Sequence, residues 1–276
     1  MTEEQDVNLF ENTLLSKTKE LIIKEFGLAD KNAHRYFHYT SNKSYRKIIT
    51  SQIFNASFIR STSDSLEFSL PLSICRDWIC FGNTFLKFSK FPTNLFKHFN
   101  EQAIDPSVRY YFISVSTNNN SEHLKSIYGK NIIEFDLKNF PDSLDSFGLI
   151  YKCKYIKNAD YRSEVITLLE KWRDIFDAAI MECKISNAEN LMSTWFYIFM
   201  QFCHAISLSI KQEPFKDEEE IRLLVVCNAD LKTETEWHKR KISTRISKQT
   251  LLRREALPLK INNLGIKISG IHCEVK

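Results

Sequence analysis

The stretch Phe215-Lys-Asp-Glu-Glu-Glu-Ile-Arg-Leu-Leu-Val-Val226 passes from an acidic run into an apolar, β-rich segment. Successive side chains of a strand point to opposite faces. Ile221, Leu223 and Val225 therefore share one face, and Glu220 shares the other with Arg222. An Asp-Glu-Glu-Glu run is ordinarily a solvated loop. Glu220, however, stands at the threshold of the strand, where a sheet would hold its carboxylate still. Such rigid placement is what a reacting carboxylate needs.

Working outward, the same reading gives strands with helices between and beside them. Leu9, Leu14, Leu15, Leu21, Ile22 and Phe26 recur at helical spacing over 8–26. Arg35-Tyr-Phe-His-Tyr-Thr-Ser41 suits a strand that ends in a helix N-cap. A helix over 43–52, a short strand over 53–60 and a polar loop over 61–67 follow. Segment 68–104 reads as helical in pieces. Residues 108–116 alternate and are β-rich, so they form a strand. A polar turn over 117–121 leads to a short helix through Leu124 and Ile127 that stops at Gly129. Strands are expected over 132–137, 149–156 and 264–275, and helices over 160–185 and 189–210. The result is one α+β domain over 1–276. Residues 1–30 form an N-terminal helical extension and 160–210 a helical insertion.

Composition limits the function classes. With 43% hydrophobic and 13% aromatic residues in 276, the chain buries a full core. Its six glycines (27, 82, 129, 148, 265, 270) make no Gly-x-Gly-x-x-Gly fingerprint. Gly265 and Gly270 have Walker-like spacing, but Ile271 and His272 stand where Lys and Ser/Thr are needed. A standard Rossmann or P-loop nucleotide site is excluded. The seven cysteines lack zinc-ligand spacing and read as buried, reduced thiols of a cytoplasmic protein, with no metal site. The acidic start MTEEQDVNLF is no signal peptide. Residues 191–210 carry no Asp, Glu, Lys or Arg and could span a bilayer by length. Ser193, Thr194, Gln201, His204, Ser207 and Ser209 interrupt them, so a central buried helix is expected, with no membrane partner.

The net charge of +4 is too mild to imply nucleic acid by itself. Lys239, Arg240, Lys241, Arg245, Lys248, Arg253, Arg254 and Lys260 nevertheless gather in one stretch opposed only by Glu255. That stretch is either a solvated face or a dock for an anionic partner. His38 on an aromatic strand is ordinarily a satisfied core histidine. Ser114 and Ser116 are ordinarily outward strand positions.

The order of these segments resembles a family. A His38-Tyr39-Thr40 strand leads to a helix and a loop with Asp64 and Glu67-Phe68. A strand ending in Ser-x-Ser (Ser114, Ser116) is followed by helix-borne Tyr128-Gly129. Phe215 to Arg222 and the closing Leu257-Pro-Leu259 complete the pattern. This is similar to the bacterial domain-of-unknown-function family 2971, of the ADP-ribosyltransferase superfamily, over residues 35–272. It departs from the family at Ser63-Asp64-Ser65, where Asn-Asp-Pro is usual, and at Lys125, where Trp is usual.

The resemblance implies a split β-sheet clasping NAD, which is the substrate. It places Glu220, His38 and Glu218 in the catalytic set, with Glu220 as the catalytic carboxylate and Glu218 orienting the acceptor. It assigns NAD binding to His38, with Tyr39 and Thr40 beside it, and the frame of the nicotinamide to Ser116 and Tyr128. It implies mono-ADP-ribosyl transfer to a protein or nucleic-acid acceptor, in the cytoplasm or in a host cytosol as an effector. Two other readings stay open: a catalytically degenerate NAD-binding module, and a nucleic-acid binder built on the basic stretch. On this reading Glu220→Gln abolishes transfer and leaves the fold intact, and His38→Ala weakens NAD binding.

Overall fold

The computed structural model describes residues 3–27, 35–58, 65–81, 108–140, 143–144, 147–148, 150–183, 192–228, 243–246, 253–261 and 266–272. In chain order the elements are α1 (Glu3–Phe26), β1 (Tyr36–Thr40), α2 (Asn42–Ser51), β2 (Ile53–Phe58), α3 (Ser65–Phe81), β3 (Val108–Ser116) and α4 (Glu122–Tyr128). Next come β4 (Asn131–Asp136), β5 (Ser143–Leu144), β6 (Phe147–Gly148), β7 (Ile150–Lys152), β8 (Lys154–Ile156), α5 (Tyr161–Glu182) and α6 (Met192–Ser209). The last are β9 (Ile210–Gln212), a 3-10 helix (Glu213–Glu218), β10 (Glu220–Asn228), β11 (Ser243–Ile246), β12 (Arg253–Lys260) and β13 (Lys267–His272).

Nine strands form one antiparallel sheet, and the class is α+β, as the sequence pattern implies. Its order is β11-β12-β2-β3-β1-β4-β13, with β10 added to β3 and β7 to β10. Strand β3 is the hub. One edge pairs with β10 along its whole length, from Glu220 opposite Ser116 to Asn228 opposite Val108. The other edge is shared. β2 meets it at Tyr111 and Phe112, and β1 meets it at Ser116.

Between those two contacts β1 and β2 diverge, and the His38 ring enters the fork. Its Nδ1 lies 3.0 Å from the Ser114 carbonyl. A carbonyl only accepts, so Nδ1 carries the proton and donates. The ring packs edge-on to Phe54 at 4.5 Å and stacks with Phe135 at 6.4 Å. His38 thus stands in for a strand where β3 has none, and it satisfies a backbone acceptor that would otherwise be lost to the core.

The helical layer is continuous. α1 packs on α5 and α6, and α3 packs on the same two helices. The N-terminal extension and the 160–210 insertion therefore belong to one layer with α3. At its centre the Trp172 ring lies 4.8 Å from Phe199 and 5.6 Å from Phe176, and Trp172 Nε1 donates to Thr18 Oγ1 at 3.1 Å. Each large side chain buried this way contributes about 1.5–3 kcal/mol. Trp195, Ile198, Phe199, Phe202, Cys203 and Ile206 of α6 are all buried, so its lack of charge is explained by the core. Among the described residues no helix is long and apolar enough to cross a membrane.

Several boundaries differ from the sequence expectation. The polar loop expected up to residue 67 gives way to α3 at Ser65. The single strand expected over 149–156 is two, because Cys153 separates β7, which pairs with β10, from β8, which pairs in parallel with β9. Strands β11 and β12 lie within the basic stretch, where no strand was expected. Lys239, Arg240, Lys241 and Lys248 of that stretch, Asp64, and the expected helical pieces over 82–104 lie outside the described residues.

Two positions generate predictions. Gly129 ends α4 with φ +112, and a Cβ there would stand 2.7 Å from the Thr40 carbonyl oxygen. We expect Gly129→Ala to destabilise the fold by about 1–3 kcal/mol in urea titration, from strain and from displacement of the end of β1. At His38, burial of the ring lowers the pKa from 6.5 to about 4, against the hydrogen bond to Ser114, which raises it. The unfolded chain then binds the extra proton, so this stability is complete above about pH 6.5 and is lost as pH falls toward 4. We expect a loss of about 2–3 kcal/mol across that window, with a flatter dependence in His38→Phe, read from urea midpoints at each pH.

Candidate functional site

Residues opposite one another in an antiparallel pair share a face of the sheet. Ser116 faces Glu220, Ser114 faces Arg222, and Phe37 faces Ser116. Phe37, Tyr39, Ser114, Ser116, Glu220 and Arg222 therefore occupy one face. His38, one residue out of phase with Phe37 and Tyr39, occupies the other.

The chain reaches β10 through the 3-10 helix Glu213–Glu218 and a left-handed residue, Glu219 (φ 43, ψ 45). A non-glycine residue in this region is uncommon. The turn leaves Glu218 and Glu220 buried and Glu219 outside, where its carboxylate accepts from Thr117 Oγ1 at 2.6 Å. Sequence reading treats this acidic run as a solvated loop by default. Two of its carboxylates are instead the charged centre of the molecule.

Glu220 is only 6% exposed. Arg222 Nε donates to its Oε1 and Nη2 to its Oε2, both at 3.1 Å. Lys211 Nζ lies 2.8 Å from Oε2, and Ser114 Oγ donates to Oε1. The Cys153 thiol lies 3.7 Å from Oε2. The Glu220 main chain is also held, its N–H by Tyr155 Oη at 2.7 Å and its carbonyl by the Cys153 N–H at 3.0 Å. Burial alone would raise the carboxyl pKa. The charges of Arg222 and Lys211, with their hydrogen bonds, overcome it and hold Glu220 well below the usual carboxylate range. The Tyr155 phenol is pushed the other way, upward, chiefly by burial.

Lys211 links the two acids. Its ammonium is 2.6 Å from Glu218 Oε2 and lies over the Phe215 ring at 5.2 Å. Glu218 Oε1 faces His123 Nε2 of α4 at 3.8 Å. Arg222 is tied to the helical layer by Nη1, which donates to the Leu208 carbonyl at 3.0 Å, and it lies over Phe112. Two carboxylates and two cations are thus buried together.

The other expected site residues are placed as follows. Ser116 Oγ donates to the Glu218 carbonyl at 2.6 Å and accepts from the Asn118 N–H at 2.9 Å, so it fastens the acidic turn to β3. Tyr39 Oη donates to the Asn118 carbonyl and accepts from the Ser121 N–H. It fixes the loop that starts α4, and burial raises its pKa. Thr40 is buried at the end of β1. Tyr128 is half exposed on α4, while Leu124 of that helix packs with Phe37, Tyr39 and Ile132. The fold brings Glu218, Glu220 and Ser116 together. It sets His38 across the sheet from them.

A cleft of about 230 Å³ opens beside the start of β10. Thr117, Lys152, Cys153, Tyr155, Lys216 and Glu219 line it with Glu220 and Ile221. Lys152 pairs with Ile221, so both project from the face opposite the Glu220 carboxylate. Among the described residues no group of three or more His, Cys, Asp and Glu side chains could hold a metal ion.

Sequence reasoning missed Lys211, Cys153 and Tyr155. Lys211 carried a signal: it is the first charge after the uncharged run 191–210, directly before the acidic segment. No family model, curated protein or solved structure matches the chain. The family resemblance therefore stands on the motif residues alone.

One sequence expectation needs correction. Glu220→Gln is not a silent change for the fold, because it leaves Lys211 and Arg222 buried against a single carboxylate. Removing one partner of a buried ionic network costs about 3–5 kcal/mol. We expect Glu220→Gln to lose about 3 kcal/mol or more of unfolding free energy at pH 7, measured by urea titration. An unchanged midpoint would show that the cations are not held by this carboxylate.

Proposed function

We propose that the chain is an NAD-dependent mono-ADP-ribosyltransferase with Glu220 as its reacting-centre carboxylate. The observation that supports this reading is the setting of Glu220: buried at the start of a strand, held by Arg222, Lys211 and Ser114, and joined to Glu218 through Lys211. In such a transfer the bond between ribose C1′ and the nicotinamide ring nitrogen breaks heterolytically. The electron pair goes to the ring nitrogen and cancels its charge, so no strong acid is needed. Positive charge develops on the ribose, as in glycoside cleavage. A fixed carboxylate that accepts from the ribose 2′-hydroxyl stabilises that charge. The acceptor then gives a lone pair to C1′ and loses its proton.

Ser114 is the donor that substrate would replace, because it is the one neutral hydroxyl on a carboxylate otherwise held by Arg222 and Lys211. The cleft is smaller than the roughly 300–1,000 Å³ of ordinary ligand pockets. It suits part of a dinucleotide. Lys152 and Lys216 on its wall suit the pyrophosphate. His38 has a structural duty in this reading, since its ring is spent on Ser114 and the aromatic layer. Glu218 and Ser116 shape the acidic turn beside Glu220, and Tyr128 offers an exposed ring on α4.

A second reading, a catalytically degenerate NAD- or nucleic-acid-binding module, is favoured by the same carboxylate. Its oxygens already accept from Ser114, Arg222 and Lys211, and its side chain is 7% exposed. The two readings separate on one measurement: incubation with labelled NAD and a cell lysate, following nicotinamide release and label on protein and nucleic acid separately. We expect release by the wild type and a fall of about a hundred- to a thousand-fold in Glu220→Gln, at a temperature where circular dichroism finds the variant folded. NAD binding without release supports the degenerate module. Neither binding nor release overturns both readings of NAD use.

A further inference from the structure

We propose that Lys211 is a positioning residue that holds Glu218 and Glu220 as one fixed pair, and that it makes β9, directly after α6, part of the site. The inference rests on the reading of Glu220 as the reacting carboxylate. Lys211 lies outside the Phe215–Arg222 motif and comes from β9, directly after α6. It is 7% exposed, with its ammonium 2.6 Å from Glu218 and 2.8 Å from Glu220. The aromatic face of Phe215 covers it from the side. β9 itself is fixed by parallel pairing with β8, which places Lys211 opposite Tyr155, the residue that holds the Glu220 N–H.

A buried ammonium is costly to desolvate, and close anions offset that cost. Lys211 therefore requires both carboxylates, and they require it. Without it, Glu218 loses its ion pair at 2.6 Å, and Glu220 keeps Arg222 as its one buried cation among the described residues. Two carboxylates sharing too little positive charge cannot both stay ionised, and one takes up a proton. The groups that set the charge at Glu220 are Arg222 and Lys211 in direct contact, Ser114, Cys153 and the Tyr155 phenol as neutral neighbours, and Glu218 with His123 beyond Lys211. Of these, Lys211 alone touches both acids among the described contacts.

The test is a mutant cycle read in two ways. The first readout is stability, which does not depend on activity. Lys211→Met removes one cation, and Glu218→Gln removes one anion. The double variant keeps the Glu220–Arg222 pair balanced. We expect Lys211→Met to unfold at clearly lower urea than the wild type, and the double variant to recover much of that loss, a coupling seen only between interacting groups. If the two losses simply add, Lys211 does not hold Glu218 and the inference fails. Lys211→Arg, which keeps the charge, should remain folded in either case and serves as the conservative control.

The second readout is the pH profile of nicotinamide release. We expect Lys211→Met to gain an acid limb absent from the wild type, falling about tenfold for each pH unit below the raised carboxyl pKa and recovering toward pH 9. Lys211→Arg should restore the wild-type shape. A merely structural lysine would lower the rate equally at every pH, and that result would overturn the positioning role. If the wild type releases no nicotinamide, the transferase reading fails, and the stability cycle still decides whether Lys211 binds the two acids together.

Discussion

The contact on which the rest of this structure depends is the carboxylate of Glu220 between Arg222 and Lys211. Two cations that water would normally claim, Arg222 and Lys211, are brought inside by it, along with Glu218. Arg222 reaches from there to the Leu208 carbonyl at the end of α6, and Lys211 hangs from β9. The network therefore does more than balance charge. It joins the central strands β3 and β10 to the helical layer through directed contacts. Apolar side chains tolerate small slips, whereas charge-assisted hydrogen bonds specify angle as well as distance.

A second set of polar contacts works on the sheet itself. β3 has more edge than β1 and β2 can cover, and His38 fills the difference with a ring. On the opposite face Tyr39, the next residue, spends its hydroxyl on the loop between Asn118 and Ser121. Neighbouring residues of one strand thus serve two faces: His38 closes the fork, and Tyr39 anchors the helix that carries His123 toward Glu218. The His-Tyr-Thr segment earns its place as architecture before any ligand is considered.

Much of this was readable from the chain, for reasons that are local. The period of two in Ile221 to Val225 fixed the face that Glu220 shares with Arg222, and β10 pairs accordingly. Ser41 and Gly129 mark helix ends because caps and positive-φ stops are properties of single residues. What the chain did not disclose is non-local. That Glu218 and Glu220 are buried depends on Lys211 and on the helical layer above it, and no window of residues contains that information. The position of His38 across the sheet from Glu220 follows from register, which sequence order alone does not specify. The strands in the basic segment were hidden because Arg and Lys mask the β-pattern of 253–260.

The helical layer also sets an order in time. The Trp172 indole bonds the Thr18 hydroxyl across 154 residues, and Phe10 meets the Phe176 ring. A ribosome adding about 5–20 residues per second needs roughly 8–30 s to cover that separation. Through that interval Phe10, Leu14 and Ile22 of α1 have been synthesised and their partners on α5 have not. One edge of β2 waits longer still, because Phe54 pairs with Leu259, 205 residues further on. Through that interval the apolar face of α1 has no α5 to pack on, and the pairing of β2 with β12 forms later still.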